Sequence, residues 1–294
     1  MGKTEEKKDY LEGFMKIVFI MATTASIVAV ALIMFFIFSS AVPTIREIGL
    51  GNFIFGRQWK PTAANPKFGI LPMIMGSIYA TFGAIVLGVP IGVFTAIYMA
   101  FYAPKKVYSL LKSGVNLLAG IPSVVYGLFA LNIIVPMIRK NFGGQGLSLA
   151  AAILVLAIMI LPTVISLSEA ALRAVPSSYY EGAVGLGASH ERAIMTVVLP
   201  AAKSGVFSSI ILGTGRAIGE TMAVGMVAGN QAIMPQGLFK GMRSMTTNIV
   251  LEMNYATGIH RDALIATGAV LFLFILVINL IFNYIKKKEM AGDR

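Results

Sequence analysis

Cysteine is absent from this chain of 294 residues. A disulfide framework, a thiolate metal site and a cysteine nucleophile are therefore excluded. Histidine is almost absent as well, because only His190 and His260 occur, in two predicted loops that are far apart in the sequence. Neither has a partner for a histidine-based metal site. We therefore expect no bound metal and no other cofactor.

Charged residues are also scarce, at 13% of the chain, whereas 57% of the residues are hydrophobic. A soluble domain carries about twice that charged fraction. So few charges cannot cover a surface that faces water, and the surrounding medium must be lipid. Because every backbone polar group must find a partner inside a bilayer, the composition predicts an all-α integral membrane protein.

Long apolar stretches are abundant. A bilayer core of about 30 Å needs about 20 apolar residues in a helix. Six stretches meet this requirement, namely residues 17–41, 69–104, 113–138, 147–165, 206–228 and 263–284. The third is the weakest because Pro122 and Pro136 interrupt it. We predict six transmembrane helices.

The distribution of lysine and arginine indicates an orientation. An even number of spans puts both termini on one side, and the segments on that side hold more Lys and Arg than those on the other. Both termini are therefore predicted to be cytoplasmic. The predicted organisation is a tail over 1–16, a first transmembrane helix over 17–42, an extracytoplasmic loop over 43–70, one helical domain over 71–285 and a second tail over 286–294.

The predicted outer segments are basic. They contain nine Lys and Arg residues but only three acidic ones, Glu47, Glu252 and Asp262. A net positive outer face attracts anions over about 10 Å before salt screens it. A generally basic protein would show the same excess, so this pattern alone leaves both interpretations open.

The loop between the fourth and fifth spans has its own pattern. Ser178 and Glu181 have the spacing of a capping box, which predicts the start of a short helix. Gly185 and Gly187 would end that helix, and Ser189 would cap a second one. Two short helices with a glycine turn form a compact projection suited to a groove on a partner. An ordinary helical loop is the alternative.

The fifth span contains an arginine, Arg216, about 15 Å from its predicted start near residue 206. A charge near the bilayer midplane costs several kcal/mol unless it has a partner or a wet path. Glu220 follows one turn later on a continuous helix. The two side chains either neutralise each other and lock helix packing, or Arg216 faces a pathway and helps a dehydrated anion cross. A guanidinium suits tetrahedral oxyanions because its planar fork bonds two oxygens at once.

Two further features lie in the spans. Pro122 frees a carbonyl in the preceding turn, and Ser123 and Tyr126 offer hydroxyls near a pathway, although a kink filled by packing is equally compatible. Gly215 and Gly219 have the spacing of residues that permit close helix packing.

The loop pattern resembles the permease subunits of bacterial ABC importers. The matching positions are Glu181, Ala183, Gly187, Leu199 and Pro200, with Gly182 in place of the usual alanine. In that family the loop is the coupling helix that docks on an ATPase subunit. The resemblance implies the type I ABC importer permease fold, with residues 71–285 as the transmembrane domain, in a bacterial or archaeal plasma membrane.

The fifth span resembles one branch of that family. Residues 215–224 and 229–230, together with 119–127, 59–61 and 68–72, are similar to phosphate-specific importer permeases, and more to the PstC-like than to the PstA-like members. This resemblance implies a pathway that includes Arg216, Glu220, Thr221, Ser123 and Tyr126.

The resemblance also implies partners. They are a PstA-like sister permease, a PstB-like cytoplasmic ATPase dimer and a PstS-like extracytoplasmic phosphate-binding protein, with no nucleic acid. The chain itself would perform no catalysis, because a partner hydrolyses ATP. A permease for sulfate or molybdate and a gradient-driven anion transporter are the alternatives. An intramembrane enzyme ranks last because Glu220 is nearly the only catalytic group available.

Overall fold

The computed structural model describes the backbone of residues 2–292 and the side chains of residues 12–288. The first half of the chain begins with helices α1 (Gly2–Ile48) and α2 (Leu50–Phe55) and an antiparallel hairpin of β1 (Trp59–Lys60) and β2 (Lys67–Phe68). It continues with α3 (Leu71–Ile97), α4 (Lys105–Gly120), α5 (Ser123–Phe129) and α6 (Val135–Phe142). Two π-helical turns, Tyr98–Tyr102 and Ala130–Ile134, follow α3 and α5.

The second half begins with the long helix α7 (Leu149–Arg173). The short helices α8 (Ser177–Gly185), α9 (His190–Ala193) and α10 (Leu199–Ala201) come next, with a π-helical turn at Ile194–Val198. The last elements are α11 (Lys203–Gly219), α12 (Met222–Val227), α13 (Met245–Glu252) and α14 (Ile259–Gly292).

Five continuous helices in the described part of the chain are long and apolar enough to cross a membrane. They are Glu12–Ile48, Leu71–Tyr102, Ser123–Phe142, Leu149–Arg173 and Ile259–Lys288. A sixth arises if His190–Ala201 and Lys203–Gly219, which meet at 69°, count as one bent span. The predicted all-α membrane fold is confirmed, and the predicted six spans correspond to the higher count.

One predicted span was wrong, and the first helix is longer than its predicted membrane segment. The third span does not run over 113–138, because the chain is extended at Ile121 (φ −71°, ψ 126°) and α5 begins afresh after Pro122. A residue that precedes proline is pushed out of the helical region by the proline ring. The first helix does not end at residue 42, since α1 continues through Pro43 to Ile48. Ala41 and Thr44, on either side of Pro43, are buried against the rest of the protein.

The connections collect at two opposite ends of the bundle. We call residues 49–70 and 229–258 the hairpin face, where Trp59 bonds to Glu252. Residues 98–112 and 174–202 form the coupling face, where Arg173 Nη2 donates to the carbonyl of Met99 at 2.8 Å. Helices α3 and α7 join the two faces, so a displacement at one end has a rigid route to the other.

Close packing of α3 against α7 depends on small side chains. Positions 76, 80, 84, 88, 92 and 96 of α3 are all Gly or Ala, and all six are buried. A Cβ at Gly88 would lie 2.8 Å from the Ile160 side chain, and one at Gly92 would lie 2.7 Å from Val164. Small residues spaced by four let two backbones approach closely in a membrane.

Gly76 tests how tightly α3 also packs against the hairpin face. A Cβ there would lie 2.4 Å from the carbonyl oxygen of Arg243, so the backbone must shift. We expect Gly76→Ala to lower the thermal unfolding midpoint of the detergent-solubilised protein. Gly114→Ala is the matched control, since Gly114 is also helical but has nothing within 4 Å, and alanine there stabilises by roughly 0.5–1 kcal/mol. Equal midpoints for the two variants would contradict the packing described.

Candidate functional site

The predicted fifth span is broken at its centre. Helix α11 ends at Gly219, Glu220 is extended (φ −69°, ψ 129°), and α12 begins at Met222. The prediction of one continuous helix over 206–228 was therefore wrong. Glycine is a poor helix former, and its presence at 215 and 219 weakens the last turn of α11.

The polar groups released by the break have local partners. The Glu220 carboxylate accepts a hydrogen bond from the backbone N–H of Ala223 at 3.0 Å and so caps α12. Buried Thr246 donates its hydroxyl to the Glu220 carbonyl at 3.0 Å, and Thr221 donates to the Gly219 carbonyl at 3.2 Å. Because these partners come from both sides of the break, the broken backbone is stabilised by the fold.

Arg216 lies in the last turn of α11, directly before the break. Its side chain is half-buried and makes no hydrogen bond or ion pair with any residue between 12 and 288. The expected Arg216–Glu220 pair is absent there, because the broken backbone no longer stacks the two side chains and Glu220 caps α12 instead. A cation in the last turn is instead stabilised by the carbonyl end of the helix dipole.

The α11 surface beside Arg216 is open within the described part of the chain. A Cβ at Gly215 or at Gly219 would meet nothing within 4 Å. The predicted close packing at these two glycines is therefore not made with any of the described residues. Leu212, one turn earlier, is 56% exposed. An unpaired cation thus stands next to an uncovered helix surface.

A second break lies close by. Tyr126 of α5 is buried and donates its hydroxyl to the Leu118 carbonyl at the end of α4, at 2.7 Å. Tyr126 belongs to the same buried cluster as Ala217, the residue that follows Arg216. Sequence reasoning placed the Tyr126 hydroxyl in a pathway, whereas the structure engages it across the α4–α5 break. Ser123 is the first residue of α5 and does not cap it.

Helix α5 brings the two breaks together by packing on α12. A Cβ at Gly127 would lie 3.0 Å from the Ala223 Cα. The structure therefore gathers Tyr126, Arg216 and the Glu220–Thr221 break in one region, as the resemblance implied for the pathway. Their contact with a substrate stays a prediction.

The loop after α7 forms the predicted two short helices. Helix α8 begins directly after Pro176, and its N-terminus has no side-chain cap, so the capping box of Ser178 and Glu181 was wrong. The N-cap is Pro176, two residues before Ser178, and the proline ring presets the φ of that position. Gly187 has φ +89°, the left-handed conformation that favours glycine.

The second short helix is capped as predicted. Ser189 accepts a hydrogen bond from the backbone N–H of Arg192 at 3.3 Å. Outside the membrane, hydrogen bonds from its own backbone N–H and from Ser189 lower the pKa of Glu191 below the ordinary carboxyl value.

The coupling-loop residues form an exposed projection. Glu181, Gly182 and Gly187 are exposed, and Leu186 beside them is 92% exposed. Ala183 is partly covered, and Leu199 and Pro200 lie on α10, where the chain returns to the bundle. Val184 beside it is also exposed, at 41%, so the tip of the projection is partly apolar.

Sequence reasoning missed the contacts that anchor this projection. The Tyr180 hydroxyl and His190 Nδ1 are 2.8 Å apart, and the Tyr102 ring lies 4.9 Å from the His190 ring. Helices α8 and α9 are thereby tied to the end of α3. No periodic pattern in the sequence predicts such a contact, because the three aromatic residues lie in separate elements.

A buried carboxylate reinforces the same end of the bundle. Glu169 of α7 receives Lys112 Nζ at 2.7 Å and Arg173 Nε at 2.9 Å. A charge in an apolar span requires partners, so the sequence did hold a clue to this cluster. Among residues 12–288, no group of three His, Asp or Glu side chains is arranged to hold a metal ion.

Residues 88–289 match the family described as the inner membrane component of binding-protein-dependent transport systems. The chain belongs to this family. It is 39% identical over 235 residues to the probable ABC transporter permease protein YqgH of Bacillus subtilis, covering 78% of this chain and 76% of that protein. It is 34% identical over 262 residues to the phosphate transport system permease protein PstC of Pasteurella multocida, covering 81% of each.

Solved structures share the fold. The inward-facing MetNI methionine ABC transporter matches with a TM-score of 0.61 at 18% identity, over 75% of this chain and 95% of that chain. A bacterial ABC transporter for import of the acidic polysaccharide alginate matches with a TM-score of 0.58 at 14% identity, over 74% and 79%. The permease therefore has the type I ABC importer fold that the loop resemblance implied.

Tyr126→Phe tests the assignment of that hydroxyl. Removing it leaves the Leu118 carbonyl with only the longer bond from the Ile121 N–H, at 3.4 Å, so we expect a loss of stability of about 1 kcal/mol, seen as a lower thermal midpoint. Tyr284→Phe, in a side chain that is 70% exposed, is the control and should change nothing. An unchanged midpoint for Tyr126→Phe would remove the structural role.

Proposed function

We propose that this chain is a permease subunit of an ATP-driven phosphate importer and forms half of its translocation pathway. The other half is a PstA-like sister permease, with a PstB-like ATPase dimer on the cytoplasmic side and a PstS-like phosphate-binding protein outside. Several relatives named PstC support phosphate, including those of Pasteurella multocida and Haemophilus influenzae. The observation that carries the proposal is the unpaired Arg216 at the break in the fifth span.

Arg216 is suited to pass an oxyanion and then release it. In a low-dielectric region an unpaired guanidinium replaces part of the hydration that the anion loses. The partial negative charge of the α11 carbonyl end offsets some of that attraction, so the anion is not trapped. Glu220 contributes by holding α12 in place through its cap.

Sulfate and molybdate present the same tetrahedral oxygens, so the geometry at Arg216 suits all three anions. The choice of phosphate among these anions rests on the relatives named PstC. A gradient-driven transporter would not need the exposed projection of the coupling face, and its uptake would continue without ATP.

The coupling face is proposed to dock on the ATPase. ATP binding closes the ATPase dimer and moves the loop of residues 176–200. The Tyr180–His190 bond and the Tyr102 contact pass that movement to α3, which packs along α7. The subunits then exchange between outward-open and inward-open arrangements. In this account the chain performs no chemistry itself.

This proposal fixes the orientation. Helix α1 starts and α14 ends on the side of the coupling face, so a cytoplasmic ATPase places both termini in the cytoplasm. The hairpin face is then extracytoplasmic, in agreement with the lysine and arginine distribution.

Arg216→Gln tests the pathway. Glutamine keeps a polar side chain at this position but removes the charge. We therefore expect phosphate uptake into proteoliposomes of the complete importer to be abolished. Assembly and ATP hydrolysis should persist. Arg139→Gln, an exposed arginine at the end of α6, is the control and should transport normally. Normal uptake by Arg216→Gln would refute the role.

Gly187→Val tests the docking surface. Valine is strained at φ +89° and alters the loop tip, so we expect the ATPase to be lost in a pull-down from detergent. Gly143→Val is a matched control, because Gly143 has φ +76° and open surroundings but lies at the other end of the bundle. If both variants retain the ATPase, or both lose it, docking at Gly187 is excluded.

A further inference from the structure

A buried carboxylate organises the hairpin face. Glu252 Oε2 accepts hydrogen bonds from Trp59 Nε1 at 2.8 Å and from His260 Nε2 at 2.9 Å. Its Oε1 pairs with Arg243 Nη1 at 2.5 Å. Glu252 is 6% exposed, so three donors hold a carboxylate that has little access to water.

The same cluster forms one wall of a cavity of about 440 Å³. The polar groups that line it beyond Trp59 are Lys60, Thr62, Arg243, Glu252, Tyr255 and His260. Glu252 is the only acidic one among them, and its oxygens are occupied. Lys60 and Arg243 leave the lining with an excess positive charge, and the hydroxyls of Thr62 and Tyr255 add donors.

Arg243 is held in position and still has a free hydrogen-bond donor. Its Nε donates to the Asn230 carbonyl at 2.9 Å, and its Nη1 donates to Asn248 Oδ1 at 3.0 Å as well as to Glu252. These bonds leave Nη2 for another acceptor. A guanidinium fixed on one edge and free on the other is prearranged to bind an oxyanion.

The surroundings of Arg243 are also incomplete. Asn248 Nδ2 and Asn230 Oδ1 are enclosed, and neither has a hydrogen-bond partner among the described residues. Buried polar atoms are normally paired with protein or water. Neither asparagine lines the cavity, so these two atoms call for water or another polar group behind Arg243, and the case for an anion rests on the cavity lining itself.

We propose that this cavity is a binding site for a tetrahedral oxyanion, occupied before the anion reaches Arg216. The proposal rests on the function proposed above, because it places a second station on the same route. Helix α13 joins the two stations: Thr246 contacts the Glu220 carbonyl near one end, and Glu252 lies six residues further, about 9 Å along the axis. Partial neutralisation of Arg243 by Glu252 keeps the binding reversible.

The hairpin offers a matched pair of lysines for the test. Lys60 and Lys67 are register partners across β1 and β2, but Lys60 lines the cavity, whereas Lys67 donates to Gln58 Oε1 at 3.0 Å and lies outside it. If phosphate responds only to general surface charge, removing the charge of either lysine weakens its binding equally. A site in the cavity responds only to Lys60.

The experiment uses the complete importer in nanodiscs without the binding protein, titrated with inorganic phosphate. Trp59, the only tryptophan of this chain, lines the cavity and reports occupancy as the fluorescence difference from a Trp59→Phe complex. We expect Lys60→Gln to raise the apparent Kd about fivefold, which corresponds to about 1 kcal/mol. Lys67→Gln should leave it within about twofold, since its long-range contribution is screened.

Three outcomes decide the matter. No Trp59 response to phosphate, or equal shifts for the two lysine variants, would overturn the site. ATP-driven uptake by the same complex with its binding protein tests the function separately. If wild-type uptake is normal and the lysine variants are indistinguishable, the site fails and the importer function stands; if wild-type uptake is absent, the importer function fails instead.

Discussion

The structure depends on how backbone polar groups are satisfied where a helix breaks inside a membrane. At the break between α11 and α12, the Glu220 carboxylate and the Thr246 and Thr221 hydroxyls replace the lost helical hydrogen bonds. The break then puts the carbonyl end of a helix next to Arg216, which stabilises that cation without an acidic partner. A continuous helix would have paired Arg216 with Glu220 and removed the free charge that an anion requires.

Side-chain hydrogen bonds satisfy the backbone at other helix breaks and helix ends as well. In the proposed function, these places separate the segments that move from the rigid helix pair. Tyr126 closes the α4–α5 break, and Ser189 caps α9 in the coupling loop. Between these places, α3 and α7 pack through small residues with little room for adjustment. In the proposed function, this closely packed helix pair would transmit a displacement from the coupling face to the pathway, which an importer driven from the cytoplasm requires.

The sequence predicted what depends on local composition. Apolar length identified the spans, and glycine and serine positions identified the turn at Gly187 and the cap at Ser189. It did not predict the break at Glu220, because the surrounding residues are as apolar as those of a continuous helix. Nor did it predict the bond between Trp59 and Glu252, which are 193 residues apart. Such contacts follow from the tertiary fold, and no local pattern encodes them.

The central claim is that Arg216 stands on a water-accessible path. Because the chain contains no cysteine, Arg216→Cys gives a single thiol in a complex whose other subunits have been made cysteine-free. We predict that a membrane-impermeant anionic methanethiosulfonate modifies this thiol during ATP-driven cycling. Phe36→Cys, on a side chain that is 64% exposed along α1, should be protected by lipid. If the thiol at 216 resists the reagent as the one at 36 does, the account is contradicted.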